Sequence, residues 1–262
     1  MKAQDIINHL QAQGSWVNWE NTRDVVLYGN PEVEINKAGV CWIITTKALK
    51  QAIAEGVNFI ISHENPFYEA TTIHTKRFLQ SATYKKQLMK ENNICAYRCH
   101  DVWDNIPEYG IADIWAKVID LPFGPRELKS YNTYAYFSAL SVKAVAKKVA
   151  EALVSCGQDT VQVIGDPDKM ISSVVIGTGA AIDVNRMLTK EADAIILSDD
   201  GCMTYQGVQY CLDNDIPVIR VNHSICEIPG MLSMRDYLKE KLNVETIYLH
   251  EGYDVTAVKA TD

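Results

Sequence analysis

Three histidines in this sequence follow short apolar runs, and each has a carboxylate close behind it. His63 and Glu64 end the run VNFIIS, His100 follows ICAYRC, and His223 follows PVIRVN. The residues of these groups that could take part in chemistry are His63, Glu64, His100, Asp101, Asp104, His223 and Glu227. A further run, DAIILS, ends in Asp199 and Asp200. Imidazole and carboxylate groups recur where apolar runs stop, which is the pattern of a polar site at the edge of a buried sheet.

Metal binding is the chemistry that this mixture of side chains favours. Imidazole nitrogen and carboxylate oxygen are common ligands of Zn, Mn and Fe, and a carboxylate can bridge two ions about 3.5–4 Å apart in hydrolytic sites. His223 and Glu227 are four residues apart, so they share a face if the segment is helical. Other interpretations stay open, because a single pair of this kind also occurs in surface loops and in polar networks. His9, His74 and His250 lack such a context and are interpreted as surface or hydrogen-bonded histidines.

The elements that carry these residues alternate between strands and helices. Short β-branched runs are predicted as strands near 40–46, 57–62, 94–99, 194–198 and 217–221, with helices between them, including 74–92, 110–119, 181–190 and 231–241. This alternation predicts an α/β fold with mainly parallel sheets covered by helices. Ligands of open α/β sheets bind beyond the carboxyl ends of the strands, where the candidate residues lie.

Residues 121–138 break the alternation. The segment LPFGPRELKSYNTYAYFS has two prolines, a glycine and several tyrosines, and it is interpreted as a lobe boundary. The predicted first lobe is 1–125 with 220–262 returning to it, and the predicted second lobe is 126–219.

Composition limits the class of protein and partner. The 262 residues carry a net charge of -8, which makes nucleic acid an improbable partner and favours a small-molecule ligand. No apolar run reaches the length of a membrane span, and the chain shows no secretory signal pattern. The seven cysteines fit a reducing compartment and are interpreted as core thiols, so a cytoplasmic location is predicted.

The stretch VVIGTGAAID contains Gly177 and Gly179 between a predicted strand and a predicted helix. It is half of a dinucleotide fingerprint, but the third glycine is missing. A tight turn that needs glycine for close packing or a positive φ is the simpler interpretation.

Several of these motifs, in their order along the chain, resemble the Nif-three-like family of dinuclear-metal proteins, also described as type 2 homologues of GTP cyclohydrolase I. The similar segments are WENTRD, GVNFIISHENPFY, YRCHDVWD, VVIGTGAA, DAIILSDD and VNHSICE, and the last is the most specific. The resemblance implies two lobes that are similar and intertwined, a toroidal homo-hexamer, and two divalent metal ions such as Fe, Mn or Zn. It implies His63, Asp104, His223 and Glu227 as ligands, with Glu227 bridging and His100 close to them.

The sequence departs from the family pattern at two positions. Glu64 replaces the second histidine of a His-His pair, and Thr204 replaces a further histidine. Glu64 is still a potential ligand, although oxygen in place of nitrogen makes the site harder and favours Fe, Mn or Mg.

The function expected from these features is metal-dependent hydrolysis of a small nucleotide-like or phosphorylated molecule by a metal-bound hydroxide. His100 or Asp101 would carry the proton. The alternatives are a metal-binding or regulatory assembly without catalysis, which the substitutions at Glu64 and Thr204 favour, and a purely structural polar network.

Overall fold

The computed structural model describes residues 1–68, 75–179, 183–202, 205–258 and 260. Its strands are β1 (Val26–Tyr28), β2 (Ala38–Ile43), β3 (Phe59–Glu64), β4 (Cys95–Arg98), β5 (Thr133–Ser141), β6 (Gln162–Ile164), β7 (Met170–Ile176), β8 (Ala194–Ser198), β9 (Val218–Val221) and β10 (Thr246–Tyr248). Its α-helices are α1 (Ala3–Gln13), α2 (Thr46–Ala54), α3 (Lys76–Glu91), α4 (Asp101–Asn105), α5 (Ile111–Val118), α6 (Val142–Leu153), α7 (Val184–Met187), α8 (Tyr205–Asp213) and α9 (His223–Leu242). Over the described residues, every helix is too short or too polar to cross a membrane.

The chain forms two compact units. The first unit consists of Met1–Gly110 and Gly230–Gly252, and the second consists of Ile111–Pro229 and Tyr253–Asp262. Each unit has a five-stranded sheet that includes parallel strands, so the predicted α/β class with helix-covered sheets is confirmed. The finer lobe limits, 1–125 with 220–262 and 126–219, and the intertwining of the lobes stay predictions.

The sheet of the first unit has the strand order β1-β4-β3-β2-β10, and only β1 is antiparallel to its neighbour. The apolar runs of β2 and β3 are buried because the helices α2 and α3 cover them with Leu49 and Met89, among others. In the pairing of β3 with β4, Ser62 lies opposite Arg98. The carboxyl ends of these two strands therefore meet at the same edge of the sheet.

The sheet of the second unit has the strand order β5-β7-β8-β9-β6. Its three central strands are parallel, and the edge strands β5 and β6 run antiparallel to them. Val175, Ile195 and Val218 form the centre of its core. The segments that follow β7, β8 and β9 leave from one edge of this sheet, which places Thr178, Asp199 and His223 near one another.

Several elements differ from the sequence prediction. β1 and β5 were not predicted, and β5 lies partly inside the segment interpreted as a break in the pattern. β3 continues through His63 and Glu64, whereas the sequence pattern predicts a strand that ends at residue 62. α9 begins at His223 and runs through Pro229, well before the predicted helix near 231–241. The helix predicted over 181–190 is described only as Val184–Met187, since residues 180–182 lie outside the described part. The seven cysteines are thiols and six of them are buried, in agreement with the prediction of core thiols.

Candidate metal centre

In the first unit, His63 and His100 are brought together by the pairing of β3 with β4. His63 is the penultimate residue of β3 and is 1% exposed, and His100 lies two residues after the end of β4. Their rings are stacked, with centroids 4.3 Å apart and an interplanar angle of 11°. Two imidazoles thus lie side by side at the edge of the sheet.

Asp104 completes a group of potential ligands with these histidines. Asp104 is on α4, four residues after His100, so its carboxylate lies one helical turn beyond the histidine. Its Oδ1 is 3.4 Å from His63 Nε2, and its Oδ2 is 3.3 Å from His100 Nδ1. One potential ligand atom from each of the three residues lies within 4.8 Å of the others. A buried group of two imidazoles and a carboxylate with this spacing suits a divalent metal ion.

Asp24 fixes the start of α4. Its carboxylate accepts hydrogen bonds from the backbone N–H groups of His100, Asp101 and Val102, at 2.8 Å for Asp101 and 2.9 Å for Val102. These N–H groups have no partner within the helix, so the carboxylate acts as a cap from a distant part of the chain. Burial raises the pKa of Asp24, and the three backbone hydrogen bonds oppose that rise. The orientation of the residues on α4 therefore depends on a side chain that is not itself a potential ligand in this group.

Asp101 holds the ring of His100. Its Oδ1 is 3.1 Å from His100 Nδ1, while its Oδ2 accepts hydrogen bonds from Thr22 Oγ1 at 2.9 Å and from the Arg23 backbone at 2.8 Å. Burial raises the pKa of Asp101, but the bonds from His100, Arg23 and Thr22 outweigh burial and lower it. Asp101 is thus a carboxylate that stays ionised and orients an imidazole.

Carboxylates surround His100 on several sides. Burial lowers its pKa, but the charge of Asp104 and the hydrogen bonds with Asp101 and Glu64 raise it to about 10. In the absence of a metal, the ring is therefore a cation among carboxylates. A divalent ion would supply positive charge in place of this proton, with the imidazole as a neutral ligand.

Glu64 is held by Arg98, its neighbour on β4. Arg98 Nη2 donates to Glu64 Oε2 at 2.5 Å, and Arg98 Nε donates to the backbone oxygen of His63 at 3.0 Å. The other oxygen of Glu64 lies 3.5 Å from His100 Nε2. Burial raises the pKa of Glu64, but His100, His63 and Arg98 together lower it to about 2. Glu64 is therefore an ionised group stabilised by His100 and His63 and restrained by the guanidinium of Arg98.

In the second unit, α9 brings His223 and Glu227 together. His223 Nε2 lies 3.1 Å from Glu227 Oε1, and Glu227 is 2% exposed. Thr178, which follows β7, donates its hydroxyl to the same glutamate oxygen at 3.1 Å. The helical spacing predicted for this pair is present because α9 starts at His223.

Two aspartates after β8 position His223. Asp199 accepts from the backbone N–H of His223 at 2.9 Å and from Asn222 Nδ2 at 3.0 Å. Asp200 bonds to His223 Nδ1. A carboxylate on one ring nitrogen fixes the tautomer and leaves the other nitrogen as the potential metal ligand. Asp199 thus accepts a backbone hydrogen bond at the start of α9, as Asp24 does at the start of α4. In each unit, one of the donating N–H groups belongs to the histidine.

Gly179 lies against this second group. A Cβ at residue 179 would be 3.1 Å from Glu227 Oε1 and 3.6 Å from His223 Nε2, and the φ of Gly179 is +79°. The positive φ would strain any residue with a Cβ, and that Cβ would also crowd the Glu227 carboxylate, so both features favour glycine. The tight-turn interpretation of VVIGTGAAID therefore has a specific cause at this position.

The predicted residues accordingly fall into two groups. His63, Asp104 and His100 lie together in the first unit with Glu64 and Asp101 beside them, and His223 and Glu227 lie together in the second. Their assignment as ligands or catalytic residues stays a prediction. Thr204 and His74 lie outside the described residues. His9 bonds to the hydroxyl of Tyr237 at 2.9 Å, as expected of a satisfied histidine.

Sequence reasoning missed the side chains that support these groups. Asp24 is the last residue of the motif WENTRD, and its partners lie 76 to 78 residues away in the chain. Arg98 has a recognisable signal, since it is a charged residue inside the apolar run ICAYRC. Thr178 lies between the two glycines of VVIGTGAAID, and no local pattern marks its hydroxyl.

Comparison with known proteins identifies a family and a fold. The sequence profile of Duf34/NIF3 (NGG1p interacting factor 3) matches residues 1–252. A Chlamydia pneumoniae protein named GTP cyclohydrolase 1 type 2 homolog is 21% identical over 256 residues, covering 95% of this chain and 98% of that protein. Among solved structures, reduced HcgD from Methanocaldococcus jannaschii has a TM-score of 0.72 at 20% identity, covering 95% of this chain and 98% of its own. A Bacillus cereus protein related to NIF3 has a TM-score of 0.79 at 13% identity, covering 98% and 99%.

Proposed function

Because this chain belongs to the Duf34/NIF3 family, we propose that it is a metal-dependent hydrolase of a small nucleotide-like or phosphorylated substrate and uses two divalent metal ions. The observation that carries this proposal is the convergence of His63, His100 and Asp104 at the carboxyl ends of β3 and β4. The name of the Chlamydia pneumoniae relative supports a nucleotide-like substrate.

The donor groups fit metal ions chemically. The first-unit group offers two imidazoles and a carboxylate, which suit Fe, Mn or Zn. The second-unit pair offers the Nε2 of His223 and the carboxylate of Glu227. Asp200 on the opposite nitrogen of His223 is the kind of outer partner that metal-binding histidines have. We assign His63 and Asp104 as ligands, together with His223 and Glu227, and Glu64 as an additional candidate that Arg98 restrains.

The ions would polarise the bond under attack and lower the pKa of a coordinated water toward neutrality. Around them, the residues of the chain position groups and move protons. We propose that His100 exchanges the proton and that Asp101 keeps its ring oriented through Nδ1. Asp101 already accepts from Thr22 and Arg23, so orientation of His100 is the role that its contacts support.

Replacement of Glu227 by alanine tests the catalytic role of the second-unit pair. Glu227→Ala is expected to abolish metal-dependent turnover in a screen of nucleotides and phosphoesters, with the fold retained by circular dichroism. Glu240→Ala is a matched control, because Glu240 is exposed on the same helix. Unchanged turnover in Glu227→Ala would remove this residue from the mechanism.

A non-catalytic metal-binding or regulatory hexamer is the second candidate function. The pair formed by Glu64 and Arg98 favours it, because a carboxylate bonded to a guanidinium is a weaker metal ligand than the histidine it replaces. Stoichiometric metal with no turnover of any screened substrate would support this candidate. Light scattering would test the hexamer separately.

A further inference from the structure

A cavity in the second unit lies apart from the residues assigned to metal binding. It has a volume of about 560 Å³, and one wall is the segment of prolines and tyrosines that no part of the proposed mechanism uses. Cavities of roughly 300–1,000 Å³ are typical of small-molecule sites. Asp183, Arg186, Thr189 and Lys190, on α7 or next to it, also line the cavity.

The charged side chains that line this cavity carry a small net positive charge, whereas the chain as a whole is acidic. Lys129, Arg186 and Lys190 supply three cations against the two carboxylates of Glu127 and Asp183, whereas the chain carries -8. Lys190 Nζ lies 3.3 Å from Glu127 Oε1, and Arg186 Nε lies 3.8 Å from Asp183 Oδ2. These side chains are largely exposed, so such ion pairs cost little to exchange for contacts with a ligand. A local excess of cations in an acidic protein favours an anionic ligand.

The cavity also presents aromatic rings. Tyr134 and Tyr136 are two residues apart on β5, so both face the same side of the strand. The hydroxyl of Tyr134 donates to the backbone oxygen of Met187 at 2.6 Å, which fixes that ring. Tyr136 is 60% exposed although it lies within a strand. A ring stacks on a flat group of a ligand, and a neighbouring cation binds the negative charge that the ligand carries.

Lys129 adopts a backbone conformation that costs energy. It is the third residue of a four-residue turn closed by the hydrogen bond from Ser130 N to Glu127 O at 2.9 Å, and its φ is +69°. Glycine is the usual residue at such a position. A lysine kept there at a conformational cost is an observation that points to a role for its side chain.

We propose that this cavity binds a small anionic ligand with a flat ring, of the nucleoside monophosphate class. Lys129, Arg186 and Lys190 contact the phosphate, and the exposed ring of Tyr136 packs against the base. This site uses none of the candidate metal ligands, so it does not depend on the proposed hydrolase function.

Calorimetric titration of the full chain with AMP and GMP tests the proposal. We expect saturable binding of at least one of them, weakened about tenfold by Lys129→Gly, because a charged contact to phosphate contributes strongly to affinity. Glycine at residue 129 relieves the positive φ, so the melting temperature should stay equal or rise by a few degrees. Tyr136→Ser should also weaken binding. Lys147→Ala, an exposed lysine on α6 of the same unit, is the control and should bind as the unaltered chain does.

Further ligands and one variant separate the sources of binding. Ribose 5-phosphate and the free nucleosides should each bind more weakly than the nucleotide, and the nucleotide binding that Lys129→Gly weakens should persist in Glu227→Ala. The proposal is overturned if neither nucleotide binds, or if Lys129→Gly and Tyr136→Ser both bind as the unaltered chain does. Ribose 5-phosphate binding as tightly as the nucleotide would overturn the role of the ring. Loss of binding only in Glu227→Ala would move the ligand to the metal centre and overturn the separate site.

Discussion

Replacement of Asp24 by asparagine should loosen the short helix that carries His100 and Asp104. In the structure, Asp24 Oδ1 accepts from the N–H groups of His100 and Asp101, and Oδ2 accepts from Val102. An asparagine oxygen in the Oδ1 position keeps the first two bonds. Its amide group then faces the Val102 N–H, which is buried and loses its acceptor. The side chain keeps its size, so the change isolates the charge and one hydrogen bond.

The expected magnitude follows from these bonds. A buried donor left without an acceptor costs about 1–3 kcal/mol, and two charge-assisted bonds that become neutral lose roughly 1 kcal/mol each. Removal of a buried charge, whose burial raises the pKa of Asp24, offsets part of this loss. We expect the free energy of unfolding to fall by about 2–4 kcal/mol, since partial offset brings the sum to that range.

Urea denaturation monitored by circular dichroism measures this loss, and metal titration of the same variant should show weaker binding. Asp168→Asn is a suitable control, because Asp168 is exposed and its replacement should change stability by under about 0.5 kcal/mol. A decrease of less than about 0.5 kcal/mol in Asp24→Asn would refute the view that this carboxylate organises α4.

Two further predictions concern Gly179 and Lys85. Gly179→Ala should lower the free energy of unfolding by about 1–2 kcal/mol and weaken metal binding that involves Glu227. The reason is that the new Cβ would lie 3.1 Å from Glu227 Oε1 in a residue whose φ is +79°. Unfolding curves and metal titrations that match those of the unaltered chain would contradict this prediction. Burial lowers the pKa of Lys85 to about 8 from 10.5. The unfolded chain therefore binds more protons between these pH values, and stability should rise across that window by up to about 3 kcal/mol relative to Lys85→Met, which cannot titrate. If the free energy of unfolding changes with pH in the same way in the unaltered chain and in Lys85→Met, Lys85 does not titrate in this way.

Much of the candidate site could be predicted because it follows a rule of sheet geometry. Apolar runs that stop at His63, His100 and His223 are visible in the sequence, and parallel strands of one sheet bring their ends to one edge. This rule places His63 beside His100 in the first unit, whereas His223 follows a strand of the other sheet. The pair His223 and Glu227 needed only the assumption of a helix, which α9 satisfies.

The supporting groups were less accessible to sequence reasoning. Asp24 contacts residues on α4 that are distant in the chain, and no local pattern specifies such a contact. Arg98 belongs to β4, and its pairing with Glu64 depends on the register between two strands. The sequence does not predict β5, because prolines precede it. Its pairing with β7 is also irregular between Tyr136 and Leu140, so the strand lacks a regular alternation.

Elemental analysis of the purified chain, after supplementation with Fe, Mn or Zn and removal of loosely bound ions, decides whether it is a metalloprotein. We predict about two equivalents of metal per chain, as expected for a two-metal hydrolytic site, and a marked decrease when His63 and Asp104 are replaced together by alanine. Less than one equivalent in the unaltered chain, or full occupancy in the double variant, would contradict it.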